Sequence, residues 1–383
     1  MVRFYYFYQK LSIMKTLPLP FISRLALAII SIIGIGYLVK LGQSILAPFF
    51  LALLLALLFL PFSNFLEKKL RFPRSISTMF SLLILLSSIY LLFFFFGTQL
   101  SSFSKDLPHL EKQFITVFND LQRWISRTFD VNTNEQFKYL NEALNKLLSS
   151  SGIILGFTLS IFSSGLGFMF FCLLFFIFIL NYRRILNRFI VNVFDEKHKG
   201  KVEDIVSEIQ NMTKKYIMGL IIQIFIVSII TSIVLSILGV KYAVLIGVLT
   251  GVLNVIPYLG IVISMLIACF ISFATGSTST TVYVFLAYIG IHAIDGNLIL
   301  PFVVGSKVKI NALFSFIGII IGEQFWGISG MFLCIPALAI IKIIFERVEG
   351  LYPWGTLLGE EDKPTKKKRR VKISETITLE EKD

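Results

Sequence analysis

Residues 242–275 read YAVLIGVLTGVLNVIPYLGIVISMLIACFISFAT, a run without one Asp, Glu, Lys or Arg. A membrane-crossing helix needs about 20 apolar residues, because the hydrocarbon is roughly 30 Å thick and each residue rises about 1.5 Å. This run is too long for one crossing and is broken in its middle at Ile256-Pro257-Tyr258-Leu259-Gly260. Proline removes a backbone donor and disrupts the helix, while glycine admits unusual dihedrals. The expected structure is a helical hairpin with two short apolar arms. A second run of similar length, 311–345, is broken at Glu323-Gln324-Phe325-Trp326-Gly327 and predicts a second hairpin.

The rest of the chain agrees with a bilayer as solvent. Of 383 residues, 56% are hydrophobic and only 15% charged, against roughly 45–50% and 25% in soluble chains. That excludes a water-soluble enzyme, a disordered chain and a secreted disulfide scaffold. The three cysteines, Cys172, Cys269 and Cys334, all fall inside apolar runs, so no disulfide and no metal cluster is expected. Single crossings are predicted at 25–39 and 45–63, hinged at Gly42, then at 76–98, 152–181, 216–238 and 281–304. The N-terminal region reads as a retained anchor without a signal-peptide cleavage site, with Met14 as an alternative start.

Basic residues accumulate in cytoplasmic loops. With the N-terminus inside, 28 of the 36 Lys and Arg fall on the cytoplasmic side, so the net charge of +13 reports topology and lipid contact without nucleic acid. Five single crossings from inside end outside at 239–241, and the 281–304 span returns inside. For the basic tail also to lie inside, each broken run must cross an even number of times. The second half then repeats one plan, a span followed by a hairpin, in opposite orientations. This is an inverted repeat by hydropathy and charge, the arrangement in which secondary transporters place their site near the midplane.

The expected organisation is a cytoplasmic interfacial segment (1–24), three spans (25–98), an extracytoplasmic helical hairpin (99–151) and a fourth span (152–181). A cytoplasmic amphipathic linker (182–215), a transport core with both hairpins (216–345) and a basic tail (346–383) follow. In the outer insertion, Phe103, Leu107, Leu110, Phe114, Val117, Leu121 and Trp124 recur every three or four residues and predict one apolar seam on a helix. In the linker, Val202, Ile205, Val206, Ile209 and Met212 form a stripe expected to lie on the membrane face or on the hairpins. Lys366-Lys367-Lys368-Arg369-Arg370 behind the last span reads as a topology anchor touching anionic headgroups.

Catalytic apparatus is absent from the sequence, with three His in all and no zinc-protease, Walker or nucleophile-elbow motif. Gradient-driven transport is what remains. Ionisable groups within the bilayer are costly and therefore informative, and only Asp295 and Glu323 lie well inside the apolar runs. Asp295 stands in His292-x-x-Asp295-Gly296-Asn297, one turn from His292, with Gly296 loosening the helix; Glu323 stands beside Gln324 at the second break. A buried carboxylate there would bind a cation or carry a proton; the alternatives are a structural contact of Asp295 with His292 or a lysine, and a Glu323 at an aqueous interface. Around the first break, Asn254, Pro257, Tyr258 and Gly260 free carbonyls to face a cavity, and Asn297, Pro301 and Gly305 mirror that feature.

Several segments also resemble the autoinducer-2 exporter family of bacterial permeases. They are Leu238-Gly239-Val240-Lys241-Tyr242-Ala243, the Ile256–Gly260 turn, Gly296-Asn297-Leu298-Ile299-Leu300-Pro301 with Gly305, and Trp326-Gly327-Ile328-Ser329-Gly330-Met331 leading to Ile335-Pro336. The resemblance implies a bacterial inner-membrane protein of about eight membrane segments, often oligomeric, with both termini cytoplasmic. Some members look like exporters of autoinducer-2, others like sodium or lithium/proton antiporters. The sequence departs from the usual pattern at Ile261 and at Lys309-Ile310-Asn311-Ala312.

The expectation is an all-α polytopic permease without cofactor or metal, moving a small solute, a monovalent cation or both. Asp295 and Glu323 would bind the coupling ion, and the broken backbone near Pro257 and Gly296 would line the path. The rivals are a cation/proton antiporter with no organic substrate and a non-transporting scaffold that binds a partner through its outer helices.

Overall fold

The computed structural model describes residues 20–129, 151–256, 259–303 and 310–360. These residues form an all-α polytopic membrane protein. Seven of the described helices are long and apolar enough to cross a bilayer. Large apolar side chains cover the outside, as a hydrocarbon solvent requires.

The chain enters through α1 (Phe21–Leu41), which buries no residue, and turns at Gly42 into α2 (Gln43–Lys69). Helix α3 (Arg74–Phe129) and α4 (Ser151–Asn192) pack with α2 into a first bundle. Its core joins Ala52 and Ala56 of α2, Leu82 and Leu85 of α3, and Cys172, Phe176 and Leu180 of α4. Edge-to-face pairs of Phe59 with Phe176 and Phe49 with Phe175 lock α2 to α4 at 5.5 and 5.4 Å. The third span runs on past residue 98 to Phe129 as one helix, carrying Pro108 within it. Residues 130–150, which carry the expected second outer helix, lie outside the described residues.

Helix α5 (Glu196–Ile237) is the axis of the second half. The segment expected as a linker is continuous with its neighbours: α4 extends to Asn192 and α5 starts at Glu196. The stripe does dock inward, since Ile205, Ile209 and Met212 pack with Tyr216, Leu54 of α2 and Leu333. A turn with Gly239 (φ 71°) and Tyr242 (φ 62°) in the left-handed region leads into α6 (Ala243–Leu253). Helices attract one another in lipid through close packing rather than the hydrophobic effect. Gly247 and Gly251 therefore matter: a Cβ on either would stand 2.1 Å from the hydroxyl of Ser232 or Ser228 on α5.

After the first break the chain doubles back as α7 (Leu259–Thr275), and a Cβ on Gly260 would lie 1.9 Å from the Leu253 carbonyl oxygen. Ile261, one of the departures from the family pattern, fills the core between α7 and α8. Helix α8 (Thr278–Ile294) passes into a five-residue π-helix, Asp295–Ile299, and a short α9 (Leu300–Val303). Helix α10 (Ala312–Arg347) is one run only in outline. Trp326 (φ −134°, ψ 18°) and Gly327 (φ 59°, ψ −138°) break it, and the arms fold together until a Cβ on Gly330 would be 1.8 Å from the Gly322 oxygen. Asn311, another departure, starts α10 by accepting the Leu313 amide at 2.9 Å. The last described helix is α11 (Tyr352–Leu358), held to the start of α10 by Asn311 N–H donating to the Leu358 carbonyl at 2.9 Å.

Candidate functional site

Asp295 opens the π-helix and is 6% exposed. Three elements meet on its carboxylate. Gln223 of α5 donates from Nε2 to Oδ1 at 2.9 Å and to Oδ2 at 3.1 Å, and Asn254, at the end of α6, donates from Nδ2 to Oδ2 at 2.9 Å. Both amides are themselves buried. The local sequence explains how each arrives. Gln223 faces inward with Gly219, Leu220 and Val227, the buried face of α5. Asn254 is placed by the break that ends α6, and Asp295 is turned inward where the helix widens; π-segments are frequent at functional sites.

The donors are neutral, and no described cation is paired with Asp295. An ionised carboxylate in hydrocarbon without a counter-charge is unfavourable by several kcal/mol even when hydrogen-bonded. The arrangement is therefore suited to take up one positive charge, as a proton or a monovalent cation.

A hydroxyl pair continues the polar interior one turn back along α6. Thr250 Oγ1 lies 2.8 Å from Tyr288 Oη and 2.7 Å from the Ile246 carbonyl. Thr250 has one proton and directs it to that carbonyl, so Tyr288 is the donor to Thr250. Both residues are fully buried.

The other expected site residues divide. His292 is exposed and does not bond to Asp295; three residues along a helix leave a 60° offset, and the π-widening adds to it. Asn297 is exposed and donates its amide to the Ala293 carbonyl at 2.8 Å, satisfying backbone one turn back. Glu323 and Gln324 are exposed at the second break and do not join Asp295. That break docks elsewhere: Trp326 Nε1 donates to the Val39 carbonyl of α1 at 3.0 Å, and its ring stacks on Phe50 of α2 at 5.7 Å. Gly260 seats the first turn of α7 against α6. Pro301 lies in α9, while Pro257, Tyr258 and Gly305 lie outside the described residues. Gln223 escaped the sequence reading because neutral polar residues were sought only around the helix breaks and beside the two acids, and Gln223 lies mid-span. Its signal was plain, a lone amide within Leu220-Ile221-Ile222-Gln223-Ile224-Phe225.

The family profile described as AI-2E family transporter matches residues 25–350. The chain belongs to the AI-2E transporter family. Relatives in Bacillus subtilis (strain 168) include "Putative transport protein YrrI", 32% identical over 91 residues, which are 24% of this chain and 26% of the relative. "Putative transport protein YdbI" is 30% identical over 93 residues, 24% of this chain and 27% of the relative. The chain thus spans about a quarter of each of these relatives' lengths. Family membership and the seven long apolar helices make this a multi-pass membrane protein of a transporter family; what the relatives carry is not in their names.

Proposed function

We propose that this AI-2E family member is a secondary permease of the bacterial inner membrane that moves a small solute, with a proton or monovalent cation taken up at Asp295. The observation that carries the reading is the buried carboxylate held by two neutral amides and by no cation among the described residues. Gln223 and Asn254 position it, and two of the three residues stand where regular helix is interrupted: Asn254 at a chain break, Asp295 at a π-segment. Loading Asp295 with a positive charge weakens its demand for the two amide donors, which lets the α6–α7 hairpin shift against α5. That shift is the proposed switch between inward and outward access.

The orientation proposed with it has both termini in the cytoplasm, on the strength of the 28 basic residues on that side. The span-and-hairpin units α5–α7 and α8–α10 are then the inverted halves. Autoinducer-2 is the solute suggested by the family resemblance.

A reconstituted flux screen tests the reading. Vesicles containing the purified protein are loaded with autoinducer-2, sodium or a proton-sensitive dye, and flux is followed under an imposed proton or sodium gradient. The reading expects solute movement that accelerates with one of the two gradients. Cation/proton exchange with no organic solute would replace it with the antiporter, and the absence of every flux would favour a scaffold.

A further inference from the structure

Between α2, α4 and the polar half of α5 lies a cavity of about 300 Å³ that shares no residue with the Asp295 cluster. Its inner wall is apolar, formed by Leu57 and Leu60 of α2 and Ile179 of α4. Its rim is cationic, with Lys68, Arg183 and Arg184. Three amides, Asn64, Asn187 and Gln210, complete the rim. The order follows from helical spacing: Leu57, Leu60, Asn64 and Lys68 recur on one face of α2 as it leaves its apolar run.

The charges at this rim do not balance. Glu67 is the carboxylate there, 8% exposed, and both arginines claim it. Arg183 pairs with one of its oxygens, and Arg184 donates to the other at 3.2 Å. Arg183 is further fixed by Asn64 Oδ1 at 2.9 Å and the Leu180 carbonyl at 2.8 Å. Arg184 remains 52% exposed, and Lys68 has no carboxylate partner among the described residues. Three cations thus share one anion, leaving an excess of about two positive charges over an apolar cleft. Phe65, Tyr182 and Leu186, close in sequence to the lining residues Asn64, Arg183 and Asn187, are large exposed side chains, as the bilayer-facing surface of these helices requires.

We propose that this cleft binds the phosphate ester of an anionic glycerophospholipid, the phosphate between Lys68 and Arg184 and one acyl chain along Leu57, Leu60 and Ile179. A basic recess between spans, at the level where helices turn from apolar to charged, matches such a headgroup. Arginine offers the planar pair of donors that a phosphate accepts, and lysine adds a point charge. The apolar wall favours a lipid over a free phosphate compound of the same headgroup chemistry, which would leave that wall wet.

The test uses the full chain in neutral detergent, titrated with phosphatidylglycerol, phosphatidylcholine, glycerol 3-phosphate or inorganic phosphate, with binding read by native mass spectrometry and by thermal shift. Phosphatidylglycerol should bind at least about tenfold more tightly than phosphatidylcholine, and the soluble phosphates should not displace it. The K68A/R184A double variant should lose about tenfold in that affinity. K69A/R188A, which removes two cations of the same segments outside the cleft, should stay within about twofold. If K68A/R184A is not monodisperse, Lys68→Ala alone, at an exposed residue without a carboxylate partner among the described residues, should lose about threefold. Equal binding of the two lipids, or an equal loss in the control double variant, overturns the site. Displacement by glycerol 3-phosphate or phosphate overturns the lipid as its occupant.

Discussion

Among the described residues Asp295 keeps three hydrogen bonds and no counter-charge, and that imbalance ties chemistry to position. The donors should matter in proportion to what they hold. Gln223→Leu preserves volume and removes two of the three contacts, so coupled flux in vesicles should fall about tenfold or more, since a bond to a charged group is worth about 1.5–3 kcal/mol. Glu323→Gln should change the same rate by less than about twofold, because Glu323 is exposed and outside the cluster. The acid in the site was legible in the sequence, because a charge in an apolar run has few benign explanations. Of its partners, Asn254 already stood among the path residues read at the first break, but Gln223 did not. His292 has the right spacing but the wrong side of the helix, and Gln223 is neutral, so no search for charges finds it.

At the level of elements, both breaks were legible because proline, glycine and a polar pair inside long apolar runs leave few alternatives. The π-segment was less so: Gly296 suggested a loosened helix, but widening by one residue has no sequence mark of its own. The glycines at the breaks differ in what they do, and substitution separates them. A Cβ on Gly330 would meet the Gly322 oxygen at 1.8 Å, whereas one on Gly296 meets nothing within 4 Å. Gly330→Ala must therefore part the two arms of α10 and should destabilise the protein by about 1–3 kcal/mol, seen as a lower melting temperature in detergent. Gly296→Ala should leave that temperature within a degree or two, although it could still slow transport by stiffening the segment beside Asp295. The long α3, and α4 and α5 extended to within three residues of each other, show the opposite difficulty. Boundaries drawn where hydropathy ends need not be ends of helices, because a helix can leave the membrane and continue in water.

Across the whole molecule, two bundles share α5 as their common wall. The first bundle is fastened by aromatic pairs and small residues between α2 and α4; the second by close glycine contacts between α5 and α6. This difference suits a static scaffold beside a moving unit, since backbones that touch through glycine and serine slide without losing large side-chain interlocks. The ion pair of Arg347 with Asp204 at 2.8 Å joins the end of α10 to the polar half of α5, but it is partly exposed and should contribute little. The proposed orientation rests on the charge pattern, and single-cysteine variants test it. With the three native cysteines replaced, Asn187→Cys should react with a membrane-impermeant reagent only in inside-out vesicles, and Lys40→Cys only in intact cells. Reaction of both from one side would reject the topology. The most direct measurement of the account is coupled flux by Asp295→Asn, reconstituted after its folding is verified by gel filtration. Asparagine keeps the size and removes the charge that the coupling ion neutralises. Flux should lose its dependence on the proton or sodium gradient and fall about a hundredfold under that gradient; a gradient-driven rate equal to that of the unaltered protein would contradict the role of Asp295.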